Sequence, residues 1–232
     1  MLYRPKCLEL GHGFKGGRQA TREGNLSRQD IQALDVMRQS LARREILQRL
    51  RAENSLVELE IGSNLGDFLV RASRAFPETL FVGVEVSPEL ASACAERLLR
   101  RGATNARVIH SEAVTFLREH VAVGAIQRVH VYFPTPYHKA LGLERPLLRQ
   151  ELFEEIHRIL VPDGTLNILV DLKQDAKKIR ALANPARWKR KRFSPLPLGQ
   201  PSPYYVGTPS EVRYSALRQI FPFRLKKIVT SS

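Results

Sequence analysis

Two carboxylates bracket a glycine turn, and together they define the chemistry this chain is equipped for. Glu60 lies at the end of the run Leu56-Val57-Glu58-Leu59-Glu60-Ile61, and Gly62-Ser63-Asn64-Leu65-Gly66 then turns into the helically spaced Asp67-Phe68-Leu69. Glycines let backbone approach a ligand closely, and the helix that follows presents N–H groups carrying partial positive charge. Glu85 closes a second apolar run, Leu80-Phe81-Val82-Gly83-Val84-Glu85, about 20 residues beyond the turn, where a carboxylate can hold a pair of ribose hydroxyls. The three-glycine fingerprint of a dinucleotide site is missing, since only Gly62 and Gly66 flank Asn64. A carboxylate at Glu60 repels phosphate and suits a cationic or amine-bearing ligand. The expected cofactor is therefore S-adenosylmethionine rather than NAD, with Glu60, Gly62, Asn64, Gly66 and Glu85 at its socket.

The elements that must position these residues alternate along the chain. Strands are expected near 56–61, 80–85, 106–110, 128–132 and 165–170, and helices near 66–76, 88–101, 112–120, 149–160 and 172–184. This is the rhythm of an α/β, doubly wound, mostly parallel Rossmann-like sheet with helices on both faces. Ser87-Pro88 is a helix start, and Pro162-Asp163-Gly164 is a turn feeding the next strand. Phe223 to Val229 alternates as a last strand. Ligands of such sheets sit beyond the carboxyl ends of the strands, so Glu60, Glu85-Val86, the Ser111-Glu112-Ala113 corner and Phe133-Pro134-Thr135-Pro136-Tyr137 should converge on one crevice. Upstream, residues 1–26 form a basic arm. Ser27 then opens a helix whose apolar stripe runs through Ile31, Leu34, Met37, Leu41, Ile46, Leu47 and Leu50, and residues 27–232 form one domain. Residues 194–210 carry five prolines and read as a lid or substrate loop.

Composition bounds the partners. A formal net charge of +14 over 232 residues creates a field that attracts polyanions, so nucleic acid is the expected partner. Arg187-Trp188-Lys189-Arg190-Lys191-Arg192-Phe193 sets five cations around two aromatics, a pattern for phosphate contacts beside rings that stack on bases. The plainer reading of the same segment is a strand edge defended by charge. No apolar run is long enough to span a bilayer, and Cys7 and Cys94 are too few for a disulfide scaffold or a zinc site. A reducing cytoplasm, no membrane, no metal, and a monomer or homodimer are the expectations.

Several motifs, in order, resemble the tRNA (guanine-N7)-methyltransferases: Glu60-Ile61-Gly62, Phe68-Leu69, Gly83-Val84-Glu85, Phe133-Pro134-Thr135-Pro136-Tyr137-His138-Lys139, Val170-Asp171 and Thr208-Pro209-Ser210-Glu211, with Arg22-Glu23-Gly24-Asn25-Leu26-Ser27 upstream. The resemblance covers nearly the whole chain and implies a class I-like, Rossmann-like methyltransferase sheet acting on N7 of a guanine in tRNA. It implies that Glu60, Glu85 and Glu112, with Val86, Ala113 and Thr135, line the S-adenosylmethionine pocket. It further places Lys139, Asp171, Thr208, Pro209, Ser210 and Glu211 at the substrate, with Thr135, Asp171 and Glu211 as catalytic candidates. Arg187, Arg190 and Arg192 are the RNA-binding cations expected from the basic segment. Phe133 or Tyr137 would stack on an extruded base.

The chain also departs from the family pattern. Its proline-aspartate-proline-tryptophan block reads Pro134-Thr135-Pro136-Tyr137 here, and Ala140 to Pro146 replaces a basic loop, keeping only Arg145 as a cation. Asn64 stands for a turn glycine, which asparagine's tolerance of left-handed angles allows. Two other readings therefore stay open: a methyltransferase of the same fold acting on another RNA or a small molecule, and a silent RNA-binding or partner relative. Among the remaining polar residues, Glu58 reads as a surface residue, His110 and His130 as strand histidines with satisfied rings, and Asp163 as a turn former. His138 stands as a candidate participant.

Overall fold

The computed structural model describes Gln48 and residues 56–134, 146–192 and 219–229. Within them the chain runs β1 (Val57–Ile61), α1 (Asp67–Ala75), β2 (Leu80–Glu85), α2 (Pro88–Arg100), β3 (Ala106–His110), α3 (Ala113–His120), β4 (Ile126–Tyr132), α4 (Gln150–Ile159), β5 (Leu160–Val170), α5 (Lys173–Leu182), β6 (Trp188–Lys191) and β7 (Phe221–Lys227). The expected alternation is thus present. The basic arm and the helix opened by Ser27 lie outside the described residues, except for Gln48, which is helical and exposed.

The seven strands form one sheet in the order β3-β2-β1-β4-β5-β7-β6. β1 to β5 pair in parallel, as strands joined by crossover helices must, while β7 runs antiparallel to β5 and β6 antiparallel to β7. The order reverses beside β1, between β2 and β4, which puts the switch point where Glu60 sits.

Alternation along the strands divides the core into two layers. Val57, Leu59, Ile61, Val129, Val131, Leu166, Ile168 and Phe223 meet Leu117 of α3, Phe153 and Ile156 of α4 and Ile179 of α5. On the opposite face Phe81, Tyr132 and Leu169 meet Phe68, Leu69 and Ala72 of α1 and Cys94 and Leu98 of α2. All five residues of β1 are buried, two glutamates included.

Glu58 is therefore not at the surface, contrary to the sequence expectation. Its Oε1 pairs with Arg128 Nη1 and its Oε2 accepts from His130 Nε2 at 2.8 Å. His130 Nδ1 then meets the Tyr132 hydroxyl at 2.8 Å, so this histidine is satisfied as expected, and burial holds its pKa below the ordinary value. His110 is likewise engaged, through Nε2 and the Val86 carbonyl at 3.1 Å.

Two further corrections concern the strands. β5 begins at Leu160, directly after α4, so Pro162-Asp163-Gly164 lies inside the strand instead of feeding it. Ile126 pairs with Leu160 and Arg128 with Thr165, which leaves the turn as a bulge with Asp163 at φ 65. β7 occupies Phe221–Lys227 rather than 223–229, although Ile228 N still donates to Arg187 O. Trp188 of β6 is buried against Phe153 and His157, with ring centroids 6.4 and 5.1 Å away, so it cannot stack on a base.

Candidate active site

The turn after β1 is built from backbone that only particular residues tolerate. Gly62, Asn64 and Gly66 all have positive φ (80, 48 and 75), so asparagine takes the left-handed angle expected of it. A Cβ on Gly66 would lie 2.5 Å from Cys94 Sγ, whereas one on Gly62 would enter open space. Gly83, opposite Glu60 on β2, is constrained as tightly: its Cβ would meet Ser63 Oγ at 2.2 Å and Leu69 Cδ1 at 2.7 Å. These two close approaches bring α1 and the turn down onto the ends of β1 and β2.

Glu85 ties the crevice together. Its Oε2 accepts from Asn64 N at 2.8 Å and its Oε1 from Ser87 N at 3.0 Å. Ser87 in turn caps α2 by accepting from Leu90 N, with Pro88 at the first helical position as expected. Each carboxylate oxygen keeps a lone pair for a ligand hydroxyl. The carbonyl of Glu85 accepts from Ser111 N, which joins the Val86 segment to the Ser111-Glu112-Ala113 corner.

Glu60 differs from its neighbours in having a buried oxygen with no partner. It is buried, and its Oε2 has no hydrogen-bond partner; nor has the nearby Ser63 Oγ. Burial first, then the charges of Glu85 and Asp67, raise its pKa well above the ordinary carboxylate value. An orphaned acid of this kind is stabilised by a donor or a cation arriving from outside. Asp67 is itself paired with Arg97 of α2, which also reaches the Leu65 carbonyl.

Glu112 serves as the cap of α3, accepting from Thr115 N at 2.8 Å, and receives Arg149 Nη2 at 3.1 Å. Burial opposes its ionisation, but the Thr115 and Val114 backbone donors and Arg149 hold its pKa low. Arg149 and Ser63 were not among the residues the sequence singled out. Ser63 could have been found as the small side chain facing Gly83; Arg149 carries no local signal.

At the other side of β1, Tyr132 pairs with Leu169, so β4 and β5 leave the sheet side by side at Phe133 and Asp171. Phe133 N donates to Leu169 O at 2.8 Å, and its φ of 49 is unusual for a residue preceding proline, which turns the chain sharply off the sheet. Phe133 is half-buried against the α1 side of the core. Asp171 contributes to a raised pKa at Asp175, after burial of that group. Of the basic segment, Arg187 is half-buried and donates to His157 Nδ1, Arg190 lies 5.0 Å over the Phe223 ring, and Arg192 is exposed. Thr135, Tyr137, His138, Lys139, the loop through Arg145, the proline-rich 194–210 and Thr208, Pro209, Ser210 and Glu211 lie outside the described residues.

A switch point with left-handed turn backbone and a buried acid whose Oε2 has no partner suits a ligand with ammonium, sulfonium and hydroxyl groups. With the 3-2-1-4-5-7-6 sheet it defines the Rossmann-like S-adenosylmethionine-dependent methyltransferases. Residues 54–194 match the family described as "Putative methyltransferase", and the chain belongs to that family. It is 27% identical over 174 residues to a tRNA (guanine-N(7)-)-methyltransferase of Hydrogenovibrio crunogenus, covering 73% of this chain and 72% of that protein. It is 32% identical over 128 residues to a protein of the same name from a Shewanella species, covering 55% of this chain and 54% of that one, so the match spans about half the length of the Shewanella relative. The fold is similar to the crystal structure of a SAM dependent methyltransferase from Aquifex aeolicus, at a TM-score of 0.51 and 15% identity, covering 80% of this chain and 89% of that one. Among the described residues no helix is long and apolar enough to cross a membrane.

Proposed function

We propose that this protein transfers a methyl group from S-adenosylmethionine to N7 of a guanine in tRNA, in the cytoplasm. The observation that carries the reading is the buried Glu60 carboxyl, whose Oε2 has no partner, beside Glu85 at the switch point, within a chain whose relatives are named tRNA (guanine-N(7)-)-methyltransferase. Glu85 holds the ribose hydroxyls and Glu60 faces the cofactor's cationic end, with Gly62, Asn64 and Gly66 as the floor of the turn. Val86, Glu112 and Ala113 form the adenine side, and the family resemblance adds Thr135 to the residues that contact the cofactor. When bound, the cofactor supplies a sulfonium methyl.

Guanine N7 carries an in-plane lone pair and no proton, so the protein needs no general base. Its task is alignment and exclusion of water. Asp171, Glu211 and the Thr208-Pro209-Ser210 segment read the guanine edge, whose N–H donors a carboxylate accepts, while Lys139 and the cations of 187–192 hold RNA phosphate. The acidic crevice also favours the cationic base that the transfer produces.

The test is incubation of the protein with S-adenosylmethionine and tRNA lacking the modification, followed by mass spectrometry of the nucleosides. Formation of 7-methylguanosine is expected. Cofactor binding without that nucleoside rejects the substrate, and no binding at millimolar cofactor rejects the pocket.

A further inference from the structure

Directly opposed residues in a sheet ladder share a face, so register carries a side chain's position from strand to strand. Lys191 of β6 faces Arg224 of β7, which faces Asn167 of β5, then His130 of β4, then Glu60 of β1. The row one pleat away runs Lys189, Lys226, Thr165, Arg128 and Glu58. Glu60 also faces Gly83, over which α1 packs. Lys189 and Lys191 thus share a sheet face with the cofactor crevice, and Lys191 is level with Glu60 at four strand spacings, about 19 Å. β6 points the same way as the parallel strands, because two antiparallel steps separate it from β5. Arg190 projects to the other face, over Phe223.

The cations on this face are placed against their own interest. Lys189 opposes Lys226 and Lys191 opposes Arg224, and like charges directly opposed across strands are destabilising. Lys226 has a partner in Asp163 at 2.9 Å, and Arg224 Nε is oriented by Asn167 Oδ1 at 2.9 Å. Lys189 and Lys191 are exposed. A bound polyanion removes the repulsion. The sheet's twist, about 20–25° per strand, makes the face a curved track rather than a plane.

We infer that Lys189 and Lys191, backed by Arg224 and Lys226, form a phosphate track for the RNA strand flanking the target base, on the same sheet face as Glu60 and with Lys191 level with it. The inference rests on the RNA substrate proposed above. It assigns to the two lysines the grip that the sequence pattern suggests for Arg187, Arg190 and Arg192.

The test is the affinity of the full chain for a tRNA transcript across a salt series, for wild type, the double variant Lys189→Gln/Lys191→Gln, and Arg190→Gln. The double variant should bind roughly tenfold more weakly, lower the slope of log affinity against log salt by about 1.5, and lose more affinity than Arg190→Gln does. It should also melt slightly higher, since the opposed charges are gone, and bind S-adenosylmethionine as wild type does. A double variant that binds tRNA as wild type does, or loses no more than Arg190→Gln, overturns the track. Wild type that binds tRNA in this way yet makes no 7-methylguanosine removes the substrate and leaves the track standing; wild type that binds no RNA removes both.

Discussion

The backbone N–H of Asn64 donates to Oε2 of Glu85 at 2.8 Å across 21 residues, locking the turn after β1 to the end of β2. The carboxylate that would receive the ribose is therefore also a structural clasp, since its other oxygen accepts from Ser87.

Glu85→Ala is expected to weaken S-adenosylmethionine binding by about 1–3 kcal/mol and to lower stability by a similar amount, because the Asn64 and Ser87 N–H groups lose a charged acceptor. Calorimetry and urea denaturation read the two effects separately. A variant of wild-type stability that binds cofactor normally would contradict the clasp and the pocket alike.

Glu60 makes stability depend on pH. Its folded pKa lies above its ordinary value of 4.5, so the folded state keeps a proton that the unfolded chain releases, and stability falls as pH rises above 4.5 until the folded pKa is reached. Glu60→Gln should then stabilise the free protein at pH 7, with the gain vanishing below pH 4.5, while weakening cofactor binding. Melting curves over pH 4–8 check this; a loss of stability at neutral pH would show that the carboxyl is compensated.

His130 acts with the opposite sign. Burial depresses its pKa below 6.5, so its contribution is present above pH 6.5 and is lost as pH falls below it. His130→Gln should flatten that acid-side decline in denaturation measurements. Glu58→Ala, which leaves Arg128 and His130 without their shared carboxylate, should cost about 3–5 kcal/mol. A loss under about 1 kcal/mol would mean that the pair behaves as a solvated surface bridge.

Gly83→Ala should disturb the site from beneath, because the added methyl meets Ser63 Oγ and Leu69 Cδ1. Overpacking of this kind costs about 1–3 kcal/mol. Cofactor affinity should fall with stability, whereas Gly62→Ala, with open space at its Cβ, should show only the strain of its left-handed angle. Equal stability of the Gly83→Ala variant and wild type would indicate that α1 can withdraw freely.

What local rules govern is legible in the sequence. The glycine turn, the Ser87-Pro88 cap and the strand-helix alternation depend on neighbours within a few residues, and the structure places them where the pattern does. The nearness of Glu60 to Glu85 is legible as well, because a βαβ unit of that length brings consecutive strand ends together. Glu58 and Trp188 are not legible in the same way. Alternation says only that Glu58 lies opposite Leu59; whether it meets water or a half-buried arginine and a buried histidine depends on β4, about 70 residues later, and on the register that aligns the two. Trp188 is read as a stacking ring from its cationic neighbours, but the pleat turns it inward onto α4 while Lys189 faces out. The bulge at Pro162 to Gly164 likewise follows from pairing with β4, since a turn sequence does not say whether a strand continues through it. The chain alone thus determined the crevice and the chemistry it suits, because those follow from residue type and short spacing. The tertiary structure decided which charges face one another, because strand register is set by packing over long separations.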